Sequence, residues 1–329
     1  MWLGFYCDLK FPVLTLSSKN VTVVFLMSVR KNYNKLIFLL PIIAGCCWGS
    51  SGTFVRILTE RGMDNITILF SRTVPSFAII FICLLLKDRD QLKVKMKDIW
   101  LFILIALTGT LGLNICYNAA MVSLSLSFAA VLLSLTPVYV LVIAAIVFHE
   151  KITKNKVLCA IFAVGGCVLV SGIIGSDISW SIVGIIAGVG AGFFNAINTV
   201  TLKETTNRNY TGLTVTMYCM LMGSIALIPF VSWDSFATYI EPDPLNRSLF
   251  LLVPTFLNTL VPYICYNLSL KYMESGTASI LASGAEPSAA TVFGIILYSE
   301  IPTIWSLSGL FMTIIALTML VITSRNKLK

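Results

Sequence analysis

The sequence predicts an all-α integral membrane protein of about ten transmembrane helices, arranged as two inverted five-helix repeats. Three observations predict it: apolar residues gathered in long runs, basic residues confined to alternate loops, and motifs that recur at an offset near 150 residues. Of the 329 residues, 57% are hydrophobic and 12% are charged, with a mean hydropathy of +0.90. A soluble domain carries roughly twice that charged fraction. Lipid offers the backbone no hydrogen-bond partner, so crossing the hydrocarbon core takes about 20 predominantly apolar residues coiled as a helix.

Residues 1–35 read as a cytoplasmic N-terminal segment. The stretch from Phe11 to Val29 is interrupted by Ser17, Ser18, Lys19 and Asn20, and no small-residue cleavage site follows it. Met27 followed by Ser28, Val29, Arg30 and Lys31 reads like a natural start, so residues 1–26 are expected to be a start-site extension or a disordered tail. The apolar runs then fall at about 36–57, 66–86, 99–121, 126–148 and 155–174 in a first repeat spanning 36–174. A second repeat, 180–323, holds runs at about 180–202, 213–231, 248–270, 276–298 and 303–323, and a basic tail, 324–329, ends the chain. Pro137 and Pro287 lie inside the fourth and ninth runs, where neighbours must satisfy the carbonyl that each proline frees.

Orientation follows from the basic residues. With the N-terminus in the cytoplasm, 19 of the 23 Lys and Arg fall in cytoplasmic segments, among them Lys87–Lys97, Lys151–Lys156, Lys203, Arg208, Lys271 and Arg325–Lys329. The outer loop 232–247 is instead acidic, with Asp234, Glu241 and Asp243. The expectation is a multi-pass protein of the cell membrane with both termini cytoplasmic. Topology accounts for the net charge of +8, and no nucleic-acid partner is needed to explain it.

The halves match in detail. Ile115-Cys116-Tyr117-Asn118 recurs as Ile264-Cys265-Tyr266-Asn267, Thr136-Pro137 as Glu286-Pro287, and Glu150 as Glu300. Ala44-Gly45 and Gly49 find Ala187-Gly188 and Gly192 at an offset of 143. Five spans per half is an odd number, so the second half must enter the membrane from the opposite side, an architecture recurrent in transporters.

The stretch Tyr117-Asn118-Ala119-Ala120, the Ser/Ala-rich run through Ala130, Thr136-Pro137 and Phe148-His149-Glu150-Lys151-Ile152-Thr153 resembles the repeat of the EamA family, of the drug/metabolite transporter superfamily. Gly276 to Glu300 resembles it again in the second half, and Trp48-Gly49 and Arg72 fit as well. The resemblance covers roughly 36–323 and implies a ten-helix secondary carrier, often an exporter of amino acids, other metabolites or toxic compounds. Its partners would be a small-molecule substrate, the lipid bilayer and a proton or other coupling ion.

Polar residues within spans need partners or a wet cavity, so they are the site candidates. Glu286 sits mid-span, where a carboxyl could bind and release a proton or hold substrate; the alternative is a structural carboxyl tied to the backbone broken at Pro287. Arg72 could pair with Glu286, hold an anionic substrate group, or snorkel outward. Asn114, Tyr117, Asn118, Asn195, Asn198, Tyr266 and Asn267 could line a central cavity or bond helix to helix. Trp48, midway through its span, is either a cavity wall or packing. Glu150 and Glu300 are expected to be structural acids at helix ends. Small residues such as Ser123, Ser127, Ala130, Ser134, Gly184, Gly188 and Gly192 favour close packing, within the chain or in a homodimer.

The nine Cys show no metal spacing, His149 is the single histidine, and no phosphate-binding GxxxxGK[ST] occurs, so no metal, cofactor or direct ATP drive is expected. A membrane-embedded enzyme would need a polar catalytic constellation that the spans lack. A channel or lipid scramblase needs only a polar path, and stays open as the alternative.

Overall fold

Backbone groups facing hydrocarbon can bond only to one another, and each long apolar run accordingly closes into a helix. The computed structural model describes residues 37–124, 126–171, 181–298 and 303–326, so residues 1–36 and Glu300 lie outside the described residues. The first repeat holds α1 (Ile37–Glu60), α2 (Asn65–Lys87), α3 (Met96–Ser123), α4 (Leu126–Leu133 and Thr136–Phe148) and α5 (Lys154–Val170). The second holds α6 (Ile182–Asn207), α7 (Gly212–Phe230), α8 (Pro244–Tyr272), α9 (Ser275–Tyr298) and α10 (Ile304–Asn326), with a short surface helix, Trp233–Ile240, between α7 and α8. Among the described residues nine helices are long and apolar enough to cross a membrane. The remaining one, α5, has 17 residues, at the lower end of the range of about 17–25 that spans a bilayer.

Helices of one repeat pack on those of the other in corresponding pairs: α2 with α7, α4 with α9, and α5 with α10. The first helix of the second repeat, α6, packs along α3 and α4. The first helix of the first repeat, α1, meets the equivalent places on α8 and α9. Glycines make the close approaches. A Cβ at Gly49 would overlap the Glu286 carbonyl and the Ala289 side chain. Its counterpart Gly192 lies against the Leu132 carbonyl and Tyr139, and Tyr139 is itself the counterpart of Ala289.

The third helix of each repeat carries one widened segment, Ala106–Gly112 in α3 and Thr255–Leu260 in α8, beginning 149 residues apart. A π-type segment costs helix hydrogen-bond geometry and recurs at functional positions. The α3 segment packs on α6 and α7, and the α8 segment on α2. At Gly109 the absent side chain leaves room for Asn198 of α6; the position 149 residues on is Asn258, whose amide reaches α1.

Candidate functional site

The helical pattern of α1 lapses for one residue at Ser50 and restarts at Ser51. Ser50 turns its hydroxyl back to the Cys47 carbonyl at 2.7 Å. Asn258, only 2% exposed, donates its amide N–H groups to the Cys47 carbonyl at 2.8 Å and the Ser50 hydroxyl at 2.9 Å. That leaves the Asn258 Oδ1 buried with no hydrogen-bond partner.

Arg72 reaches the same place from α2. Its Nη1 donates to the Ser51 hydroxyl at 3.2 Å, while its Nε is buried and unpartnered. The guanidinium is thus held inside the bundle, which corrects the expectation that it could snorkel outward. No ion pair within 4 Å joins Arg72 to Glu286, so the possible pairing of the two is not made in this structure. The Trp48 ring lies 5.8 Å from Tyr263 in a T-shaped contact and 5.4 Å from Tyr266, forming an aromatic cluster. Trp48, Ser51 and Gly52 share one face of α1 at i, i+3 and i+4 spacing. At Gly52 a Cβ would meet nothing within 4 Å.

Glu286 stands on α9 against Gly49 of α1 and is partly exposed. Among the described residues its carboxyl has no hydrogen-bond or ion-pair partner. Pro287 frees the Ser283 carbonyl four residues back, but that oxygen faces the Cys167 thiol at 3.9 Å, not the Glu286 carboxyl. The other repeat handles its break differently: Pro137 frees the Leu133 carbonyl, and the Thr136 hydroxyl takes it at 2.7 Å. Thr136 also accepts from Asn195 Nδ2 at 3.4 Å. The counterparts of that bonded pair are Glu286 and Gly52, which have no such bond between them. One repeat is closed at this point and its twin is open.

The remaining candidates divide. Tyr117 and Asn118 are both partly exposed on α3. Asn114 turns back to its own helix, donating to the Thr110 carbonyl at 2.7 Å. Asn267, 1% exposed, donates to the Thr216 hydroxyl at 2.9 Å, and Tyr266 meets the Thr199 hydroxyl at 3.4 Å. Asn198 is buried against Gly109. Asn198 and Asn267 join helix to helix, while Tyr266 both meets Thr199 and packs its ring against Trp48.

Glu150 caps a helix of the opposite repeat. Its carboxylate accepts from the Ser275 N–H and hydroxyl and, at 3.4 Å, from the Gly276 N–H, all at the start of α9. Lys156, 5% exposed at its side chain, lies 2.5 Å from Glu274 and 4.0 Å from Glu150. Lys203 donates to the carbonyls of Leu270 and, at 2.9 Å, Met273.

Reading spans for charge missed Ser50, Ser51, Gly52, Asn258 and Tyr263. Two signals were available: Asn258 is a mid-span amide, and Tyr263 is the counterpart of Asn114 at the repeat offset of 149.

The EamA-like transporter family matches residues 35–172 and, a second time, residues 182–322. A protein of Archaeoglobus fulgidus described as an uncharacterized transporter is 26% identical over 262 residues, covering 80% of this chain and 90% of the relative. Another from the same organism, also an uncharacterized transporter, is 25% identical over 270 residues, covering 82% and 90%. One solved crystal structure shares the fold with a TM-score of 0.70 at 13% identity, covering 89% of this chain and 98% of the other.

Proposed function

Because this chain belongs to the EamA-like transporter family and is a membrane transporter, we propose that it is a secondary active carrier working by alternating access at a site between its repeats. Its cargo is a small metabolite or toxic compound. The observation that carries this reading is the partly exposed Glu286 carboxyl at the contact of α1 with α9, which has no side-chain bond among the described residues, whereas the equivalent contact in the other repeat is joined by Asn195 and Thr136. An acid held within a membrane bundle without a fixed partner suits binding and release of a proton or of a cationic substrate group. Corresponding helices packed in pairs across the repeats support rocking of one half against the other.

The distribution of basic residues favours a cytoplasmic Glu150–Ser275 end, with both termini on that side of the cell membrane and the acidic 232–247 loop outside. In that orientation α4 and α9 are latched at the cytoplasmic end. The family resemblance supports export as the direction.

Reconstitution tests the reading. Carrier action requires saturable flux with trans-stimulation in proteoliposomes loaded with a metabolite panel. Linear, unsaturable flux would leave a channel or scramblase instead. Glu286→Gln should abolish proton-linked accumulation while leaving substrate exchange; an unchanged pH profile would remove Glu286 from coupling.

A further inference from the structure

We propose that Arg72, with Ser51 and the open face of Gly52, forms a subsite for the carboxylate of a soluble organic anion, separate from Glu286. This deepens the carrier reading and rests on it. A guanidinium has five N–H donors, and that of Arg72 spends one, on Ser51. Its Nε is buried without a partner, and among the described residues no carboxylate stands within 4 Å. A charge held inside a membrane bundle without a counter-ion is costly, and one hydroxyl offsets little of that cost. An oxyanion is the group whose arrival would repay it, and the planar fork of Arg fits a carboxylate through two parallel N–H bonds.

Three further features converge there. The segment Ser51–Glu60 restarts at this point, so the positive end of a ten-residue helix opens beside the guanidinium. Gly52 leaves space in front of that end, where any side chain would fill it. Trp48, four residues before Gly52 on α1, meets Tyr263 edge-on, and an aromatic pair so close in the chain suits an apolar or aromatic body attached to the carboxylate.

Thermal unfolding of the full chain in detergent, titrated with sodium benzoate, tests the subsite. Sodium chloride, sodium phosphate, benzyl alcohol and phosphatidylglycerol serve as separate arms. The expected result is a saturable rise in the unfolding midpoint with benzoate, absent with chloride and the neutral alcohol. The apparent affinity should weaken at least about tenfold in Arg72→Gln, the loss expected when a hydrogen bond to a charged group is removed, and it should be lost in Gly52→Leu. The proposal is overturned if benzoate does no more than chloride, if Arg72→Gln responds like the parent, or if phosphate or the lipid gives the larger Arg72-dependent shift. Should Arg72→Gln not fold, the parent salt series and Gly52→Leu decide by the same criteria. Binding is read here without transport, so its failure leaves the carrier reading standing. Absence of saturable flux would remove the carrier reading and leave the binding result untouched.

Discussion

Glu150, at the end of α4 in one repeat, accepts hydrogen bonds from both the backbone N–H and the hydroxyl of Ser275, the first residue of α9 in the other, at 2.8 and 2.6 Å. A carboxylate at a helix N-terminus satisfies donors that have no partner within the helix, and its charge suits the positive end. Here the cap comes from a different repeat, so it ties the two halves together at one end of the bundle. Glu150→Ala should lower stability by about 1–3 kcal/mol, the cost of stranding buried donors, and Glu150→Gln by less. Measured in a double-mutant cycle, Ser275→Ala should add little once Glu150 is gone. Full additivity would mean that the bond does not hold the halves.

Gly49 and Gly52 lie one turn apart on α1 and should respond in opposite ways. Gly49→Ala drives a methyl group into the Glu286 carbonyl and Ala289, both on α9. Overpacking of that kind costs about 1–3 kcal/mol, and a lowered thermal midpoint with poor recovery in detergent is the expected outcome. Gly52→Ala meets open space and gains helix propensity, so its midpoint should hold or rise. Equal damage at both sites would contradict the geometry.

Asn258 ties α8 to the interruption of α1 at Ser50 through its two amide donors. Asn258→Ala removes the donors to the Cys47 carbonyl and Ser50, at about 1–3 kcal/mol. Asn258→Asp should be worse than Ala, because it replaces the donor amide nitrogen with a buried acceptor oxygen. A thermal-stability ranking with Asp above Ala would show that the amide does not hold the two helices together there.

Asp243 caps the start of α8, accepting from the Asn246 side chain at 2.8 Å and its N–H at 3.3 Å. The Asn246 bonds hold its carboxyl below the ordinary carboxylate range. A lowered folded-state value means stability that is present above the unfolded pKa and lost as pH falls through the folded one. Amide protection at the first turn of α8, taken relative to the intrinsic exchange rate at each pH, should therefore fall on acidification below about pH 4. Asp243→Asn should remove that pH dependence.

The helices and their correspondence between repeats are legible along the chain, because a bilayer leaves the backbone one economical solution and repetition marks which helices match. The runs at 126–148 and 276–298 lie within a residue of α4 and α9. The offset of 149 that relates Tyr117 to Tyr266 also relates the two widened helix segments. Glu286 stood out because it is a charge where its twin is Thr136. Which polar side chains face one another was decided only by tertiary structure. Asn195, Asn198 and Asn267 look alike along the chain as in-span amides, yet each is drawn into packing against another helix. Arg72 reads as a residue that pairs, holds an anion or snorkels until Ser51 is found beside its guanidinium. The space at Gly52 is the plainest case: at the equivalent place in the other repeat Asn195 reaches Thr136, whereas no neighbour comes within 4 Å of a Cβ at Gly52, and a missing side chain acquires meaning only from the neighbours that leave its place unfilled.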